Sequence, residues 1–116
     1  MPISQASLLH GDYHKNNILV DNDEISGVID LCTAKAGDPV LDVATAMVFQ
    51  RKDPHRDAFL KGYGDVDKDA LHAYIIAVTG RRMVSRLASG DVAKAQEYRD
   101  FFRATLKEEP LQSAAA

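Results

Sequence analysis

Residues 8–39 read LLHGDYHKNNILVDNDEISGVIDLCTAKAGDP, a stretch in which two short apolar runs each meet a cluster of polar groups. Ile18, Leu19 and Val20 form one run, Asp21, Asn22 and Asp23 supply turn chemistry, and residues 25–29 return as a second run. That order specifies a β-hairpin. An irregular polar loop, residues 11–16, precedes the first strand, and the second strand runs straight into Asp30. Acidic groups therefore crowd the place where the strands of a small core are expected to begin. An antiparallel pair sets the start of one strand beside the end of the other, so the hairpin is expected to bring Asn17 and Asp30 side by side.

The remaining chain reads as helical. Asp38 followed by Pro39 is a helix opening, an N-cap acceptor before proline at the first helical position, and Val40, Val43, Ala44, Met47 and Val48 continue at helical spacing. The polar segment QRKDPHRD is a connection, with a short helix expected over 57–63, stopped by Gly62 and Gly64. A longer helix is expected over 67–87, with Leu71, Tyr74, Ile75 and Val78 on one face and Gly80 weakening its middle. Arg81, Arg82 and Arg86 on it read as a solvated face. Gly90 stops that helix and Asp91 caps the next, which runs to about Lys107 and presents Val92, Ala95, Tyr98, Phe102 and Leu106 on one side. The terminal SAAA reads as a frayed tail.

At 116 residues the chain has room for one modest core. Its net charge of −3, from 14 basic and 17 acidic residues, lacks the basic footprint of nucleic-acid binding, so no nucleic-acid partner is expected. No apolar run approaches the length needed to span a bilayer, and the start MPISQASLLHGD lacks the layout of a signal peptide. The expected location is the cytoplasm, with no membrane partner. The single cysteine, Cys32, has no partner for an internal disulfide and no Cys or His at zinc-ligand spacing.

The chemistry concentrates on three residues. Asp12 and Asn17 lie five positions apart on the loop, and Asp30 closes the returning strand. Asparagine and aspartate oxygens suit magnesium, a hard cation that takes one or two protein carboxylates and fills its other positions with water and substrate phosphates. Asn17 and Asp30 are the candidate ligands. Asp12, not needed as a ligand, is then available to accept the proton of an attacking hydroxyl.

HGDYHKNNILV followed by GVIDLCTAKAGDPVLDVA resembles the catalytic half of the aminoglycoside phosphotransferase and choline kinase group, relatives of the protein kinases. In protein kinases a His-Arg-Asp loop carries an asparagine five residues after its aspartate, and a later aspartate holds magnesium. The resemblance implies that Asp12 is the catalytic base, that Asn17 and Asp30 bind magnesium and so the nucleotide, and that His10 holds the shape of the loop. Asp38, Pro39 and Asp42 match a GDP signature and the acidic residue of the following helix, which in the group are mainly structural. The match is dense from Leu8 to Ala46 and weak beyond it. Lys15-Asn16 stands where the group commonly has Pro-Gly, and Leu31 where it commonly has an aromatic residue.

The implied fold is α+β, a protein-kinase-like C-terminal lobe: a short β-hairpin carrying the catalytic and metal-binding loops over 1–38, then a helical bundle over 39–110. No glycine loop or phosphate-pairing lysine precedes the catalytic loop, so the N-terminal nucleotide-binding lobe is expected to be absent and the domain partial. The implied activity is transfer of the terminal phosphate of ATP or GTP to the hydroxyl of a small molecule, with Mg2+. A second reading takes Asp12 and His14 as ligands of a two-metal phosphoesterase, for which His55 and His72 stand in unpromising contexts. A third makes the chain a truncated, catalytically inactive lobe that self-associates or binds a partner through the apolar face where the missing lobe would have packed.

Overall fold

The structure is a computed structural model that describes residues 6–108 apart from Asp53 and His55. The expected frayed tail and the last two residues of the expected helical part therefore lie outside the described residues. The chain divides into two units, meeting in sequence at Gly64 and Asp65.

The first unit holds two small antiparallel sheets and two helices. Strand β1 (Ser7–Leu9) pairs with β4 (Lys35–Gly37), and β2 (Ile18–Asp21) pairs with β3 (Glu24–Val28). The second pair is the hairpin expected from the sequence. Asn22 and Asp23 both take positive φ, 51° and 63°, which is how a two-residue turn matches the twist of the strands it joins. Ser26 is the extra residue where Leu19 pairs with Gly27 and Val20 with Ile25, so the ladder carries a bulge. The β1–β4 pair is new relative to the sequence reading. Three-residue strands show no usable alternation, and this one joins segments 26 or more residues apart, Leu9 lying opposite Lys35.

The hairpin is not a core element. Leu19, Val20, Ile25, Val28 and Ile29 are all exposed. The core of this unit is instead α1 (Pro39–Phe49), which packs on β1. Asp38 caps it, its Oδ1 accepting the Val40 N–H at 3.0 Å. Every residue from Val43 to Val48 is buried, a helix apolar around most of its circumference rather than along one stripe. Thr45 is admitted because its hydroxyl donates to the Leu41 carbonyl one turn back. Each fully buried Val, Leu or Met here contributes about 1.5–3 kcal/mol, which makes α1 and Leu9 the fixed frame of the unit. Helix α2 (Arg56–Tyr63) follows, one residue longer at its start than the sequence suggested.

The second unit is an antiparallel pair, α3 (Lys68–Ala88) and α4 (Val92–Lys107). Asp67 caps α3 through the Ala70 N–H, and Asp91 caps α4 through the Lys94 N–H. Between them Gly90 takes φ +83° and the chain reverses through bonds from Gly90 to the Leu87 carbonyl and from Asp91 to the Arg86 carbonyl. Leu71, Ile75 and Val78 are buried as expected, and Ala95, Tyr98 and Thr105 answer them from α4. Leu106, expected on that face, is exposed because it lies one position, about 100°, round the helix from Thr105. Val92 is exposed too, at the first residue of α4. On the basic stretch Arg81 is exposed, while Arg82 and Arg86 are half-buried. No helix among the described residues is long and apolar enough to cross a membrane.

Candidate active site

The polar loop between β1 and β2 is held from several directions. At its start Gly11 takes φ +90°, and a Cβ there would lie 2.3 Å from the Thr33 carbonyl oxygen, so only glycine fits. Asp42, in the first turn of α1, accepts the His10 N–H at 2.7 Å on Oδ2 and the Gly11 N–H at 3.0 Å on Oδ1. Thr33 donates its hydroxyl to the His10 carbonyl at 3.1 Å. The loop backbone is thus clamped by α1 on one side and by the β3–β4 connection on the other.

The buried His10 ring ties the loop to the end of the returning strand. Its Nδ1 accepts the Asp12 N–H at 3.1 Å, which leaves the ring hydrogen on Nε2, where it donates to the Ile29 carbonyl at 2.7 Å. His10 therefore spans between the residue before Asp30 and the backbone of Asp12.

Asn17 completes the link. It closes a single 3-10 turn, Lys15–Asn17, and is buried. Its backbone carbonyl accepts the Ile29 N–H at 2.9 Å, extending the hairpin by one bond beyond the strand pairing. Its side-chain Nδ2 donates to the Asp12 carbonyl at 2.9 Å and lies 3.4 Å from Asp12 Oδ2. With Nδ2 committed to Asp12, the amide oxygen is the side chain's remaining polar atom. Asp30 follows Ile29 directly and takes φ 64°, a left-handed turn that an aspartate tolerates better than most residues and that re-aims its side chain as the strand ends. Hydrogen bonds thus link Asp12, Asn17 and Ile29, and Asp30 is the next residue along the chain.

Two neighbours were not singled out as partners by the sequence. Thr33 acts through a hydroxyl-to-carbonyl bond that no spacing rule announces. Phe49, the last residue of α1, stacks on His14 with ring centroids 4.1 Å apart, and only its position at the end of an apolar helix hints at that. Cys32 is exposed and its thiol donates to Asp30 Oδ1 at 2.9 Å. That hydrogen bond, and then the Asp30 charge, push the thiol's pKa up from its ordinary value. Cys32 accordingly carries less thiolate at a given pH than a free thiol would.

Among the described residues no group of three His, Cys, Asp or Glu side chains is placed to hold a metal. The two-metal phosphoesterase reading needs such a cluster. His14 is instead engaged with its own loop, His72 bonds the Thr105 carbonyl in the second unit, and His55 lies outside the described residues.

A model of the phosphotransferase enzyme family matches residues 1–74. A probable aminoglycoside 3'-phosphotransferase of Lactococcus lactis is 41% identical over 70 residues, covering 53% of this chain and 27% of that protein. An aminoglycoside 3'-phosphotransferase of Niallia circulans is 35% identical over 72 residues, covering 57% of this chain and 28% of that protein. Among solved structures, a thermostable mutant of aminoglycoside phosphotransferase APH(4)-Ia, in ternary complex with ADP and hygromycin B, matches with a TM-score of 0.60 and 25% identity. That match covers 88% of this chain and 37% of the neighbour, whereas the chain spans little more than a quarter of the two curated relatives.

Proposed function

Because the chain belongs to the phosphotransferase enzyme family, we propose that it carries the catalytic and metal-binding loops of a small-molecule kinase, in the manner of a kinase C-terminal lobe. The observation that carries this reading is the double engagement of Asn17. Its side chain donates to the Asp12 carbonyl and its backbone carbonyl accepts the Ile29 N–H, so the Asp12 loop is tied to the residue next to Asp30.

In the proposed reaction an acceptor hydroxyl oxygen forms a bond to the γ-phosphorus of ATP or GTP. The bond from that phosphorus to the β,γ-bridging oxygen breaks, the nucleoside diphosphate leaves, and the hydroxyl proton passes to the Asp12 carboxylate. The chain's own contribution is mainly positioning. Asp42 and Thr33 fix the loop backbone, His10 sets the spacing between Asp12 and the end of β3, and Asn17 fixes the direction of the Asp12 main chain.

The donors fit magnesium: the Asn17 amide oxygen and the Asp30 carboxylate are hard oxygen ligands, few enough to leave room for water and phosphate oxygens. Bound there, the ion would neutralise the charge of the nucleotide phosphates. The acceptor is a hydroxylated small molecule. The relatives' names and the hygromycin B complex support an aminoglycoside as the first to try.

The test is transfer of labelled γ-phosphate from Mg-ATP and Mg-GTP to hygromycin B and a panel of other polyhydroxylated amines, alcohols and sugars. Transfer that disappears in Asp12→Ala and in Asp30→Ala supports the assignment. Transfer retained in either variant removes the role given to that residue.

One observation favours a second reading, a lobe that works through a partner. Leu8, Val20, Ile25 and Leu31 in the first unit are between 59% and 82% exposed, more apolar surface than a solitary domain usually leaves in water. Light scattering at two concentrations addresses it. A rise in mass with concentration supports self-association, and a constant monomer mass counts against it.

A further inference from the structure

The reading above leaves His14 without a task, yet its ring is among the most constrained in the loop. The side chain is 12% exposed and lies against Phe49 with ring centroids 4.1 Å apart. Its Nδ1 accepts the Asn16 N–H at 3.2 Å. A ring nitrogen that accepts a hydrogen bond carries no hydrogen, so in the neutral ring the hydrogen sits on Nε2. Nε2 faces Asp12 Oδ2 at 3.5 Å. Asn17 Nδ2 reaches the same carboxylate oxygen at 3.4 Å. Nδ2 and Nε2 are themselves 3.4 Å apart, and since both carry hydrogen they converge on Asp12 rather than bond each other.

From this geometry we infer that His14 is a positioning residue for Asp12. Together with Asn17 it holds one oxygen of the carboxylate and so sets the direction in which the carboxylate meets the acceptor hydroxyl. The ring is aimed by two contacts on its other sides, the Asn16 amide on Nδ1 and the Phe49 face, so the last residue of α1 helps to orient Asp12 through His14. This assignment rests on the role proposed above for Asp12 as base. What it adds is the reason a histidine stands two residues after that aspartate: a donor is needed at the reach of Nε2, on a flat side chain that can stack.

Two substitutions separate holding from packing. His14→Phe keeps a ring to stack on Phe49 and removes the Nε2 donor. His14→Gln gives up the ring and returns an N–H donor at similar reach. The first readout needs no turnover: three-bond couplings report the χ1 angle of Asp12 in the 116-residue chain. One rotamer in the native chain and in His14→Gln, with rotamer averaging in His14→Phe, supports the inference. The same couplings in all three proteins overturn it.

The second readout is phosphate transfer. His14→Phe is expected to lower kcat by roughly tenfold or more, with the nucleotide KM changed by less than about twofold and most of the rate recovered in His14→Gln. An unchanged kcat, or a rise in KM alone, overturns the inference. If the native chain transfers no phosphate to any acceptor, the proposed function fails by itself, and the coupling measurement alone decides whether His14 holds Asp12.

Discussion

The Asp42 carboxylate grips the backbone of His10: its Oδ2 accepts the His10 N–H at 2.7 Å while its Oδ1 takes the adjacent Gly11 N–H at 3.0 Å. This pair of bonds fastens the loop to α1, the best-buried element of the first unit. Removing the carboxylate leaves two partly buried amides without an acceptor. Asp42→Ala is therefore expected to destabilise the chain by about 2–3 kcal/mol, and Asp42→Asn, which can still accept one of the two bonds, by less. Urea unfolding followed by circular dichroism reads both, and equal stability of Asp42→Ala and the native chain would show that the grip carries no energy.

A glycine comparison tests how tightly the loop is packed. Gly11 and Gly64 both take positive φ, +90° and +100°, but only at Gly11 does an added Cβ strike anything, the Thr33 backbone. Gly64→Ala should cost about 1–2 kcal/mol from backbone strain alone. Gly11→Ala should cost clearly more, because the β3–β4 connection must move as well. Equal losses in thermal unfolding would remove the close approach from the account.

The pH behaviour of Cys32 reports on Asp30. The carboxylate accepts the thiol hydrogen and repels the thiolate, so the thiol's pKa is raised and less thiolate is present at a given pH. Asp30→Ala removes both effects. Alkylation of Cys32 by iodoacetamide at pH 8 should then be several-fold faster, and its rate profile should shift to lower pH. Unchanged kinetics would mean that the two side chains do not meet in solution.

In the second unit Gly80 sits in the middle of α3 for a packing reason. A Cβ there would lie 3.3 Å from the Phe102 ring. Alanine gains helix propensity of up to about 1 kcal/mol and loses some of it to that contact. Gly80→Val, which must push Phe102 away, should destabilise by about 1–3 kcal/mol. A stable valine variant would show that the helices do not approach closely at this point.

Much of this was legible because it depends on local chemistry. The turn at Asn22 and Asp23, the caps Asp38 and Asp91 and the stop at Gly90 each follow from what one residue type can do with the neighbouring backbone. The meeting of Asn17 with the end of the returning strand was readable for the same reason, since the hairpin register sets Asn17 against Ile29. What escaped depends on distant pieces of chain. The β1–β4 pairing joins three-residue segments far apart in sequence. The hairpin was expected in the core because its residues are apolar, but apolarity states a preference and not which surface is covered. Asp42 reads from the sequence as a structural carboxylate near the helix start, and which backbone it holds is decided by the position of His10 and Gly11, 32 and 31 residues away.

We propose that Asn17 and Asp30 form a divalent-cation site beside Asp12, and paramagnetic broadening by Mn2+ in the presence of ATP reads that site at the two residues themselves. Low Mn2+ is expected to broaden selectively the NMR signals of the Asn17 side-chain amide and the Asp30 backbone amide, excess Mg2+ to restore them, and Asp30→Ala to abolish the effect. Broadening that spares Asn17 and Asp30 and falls on other carboxylates, or that persists in Asp30→Ala, would contradict it.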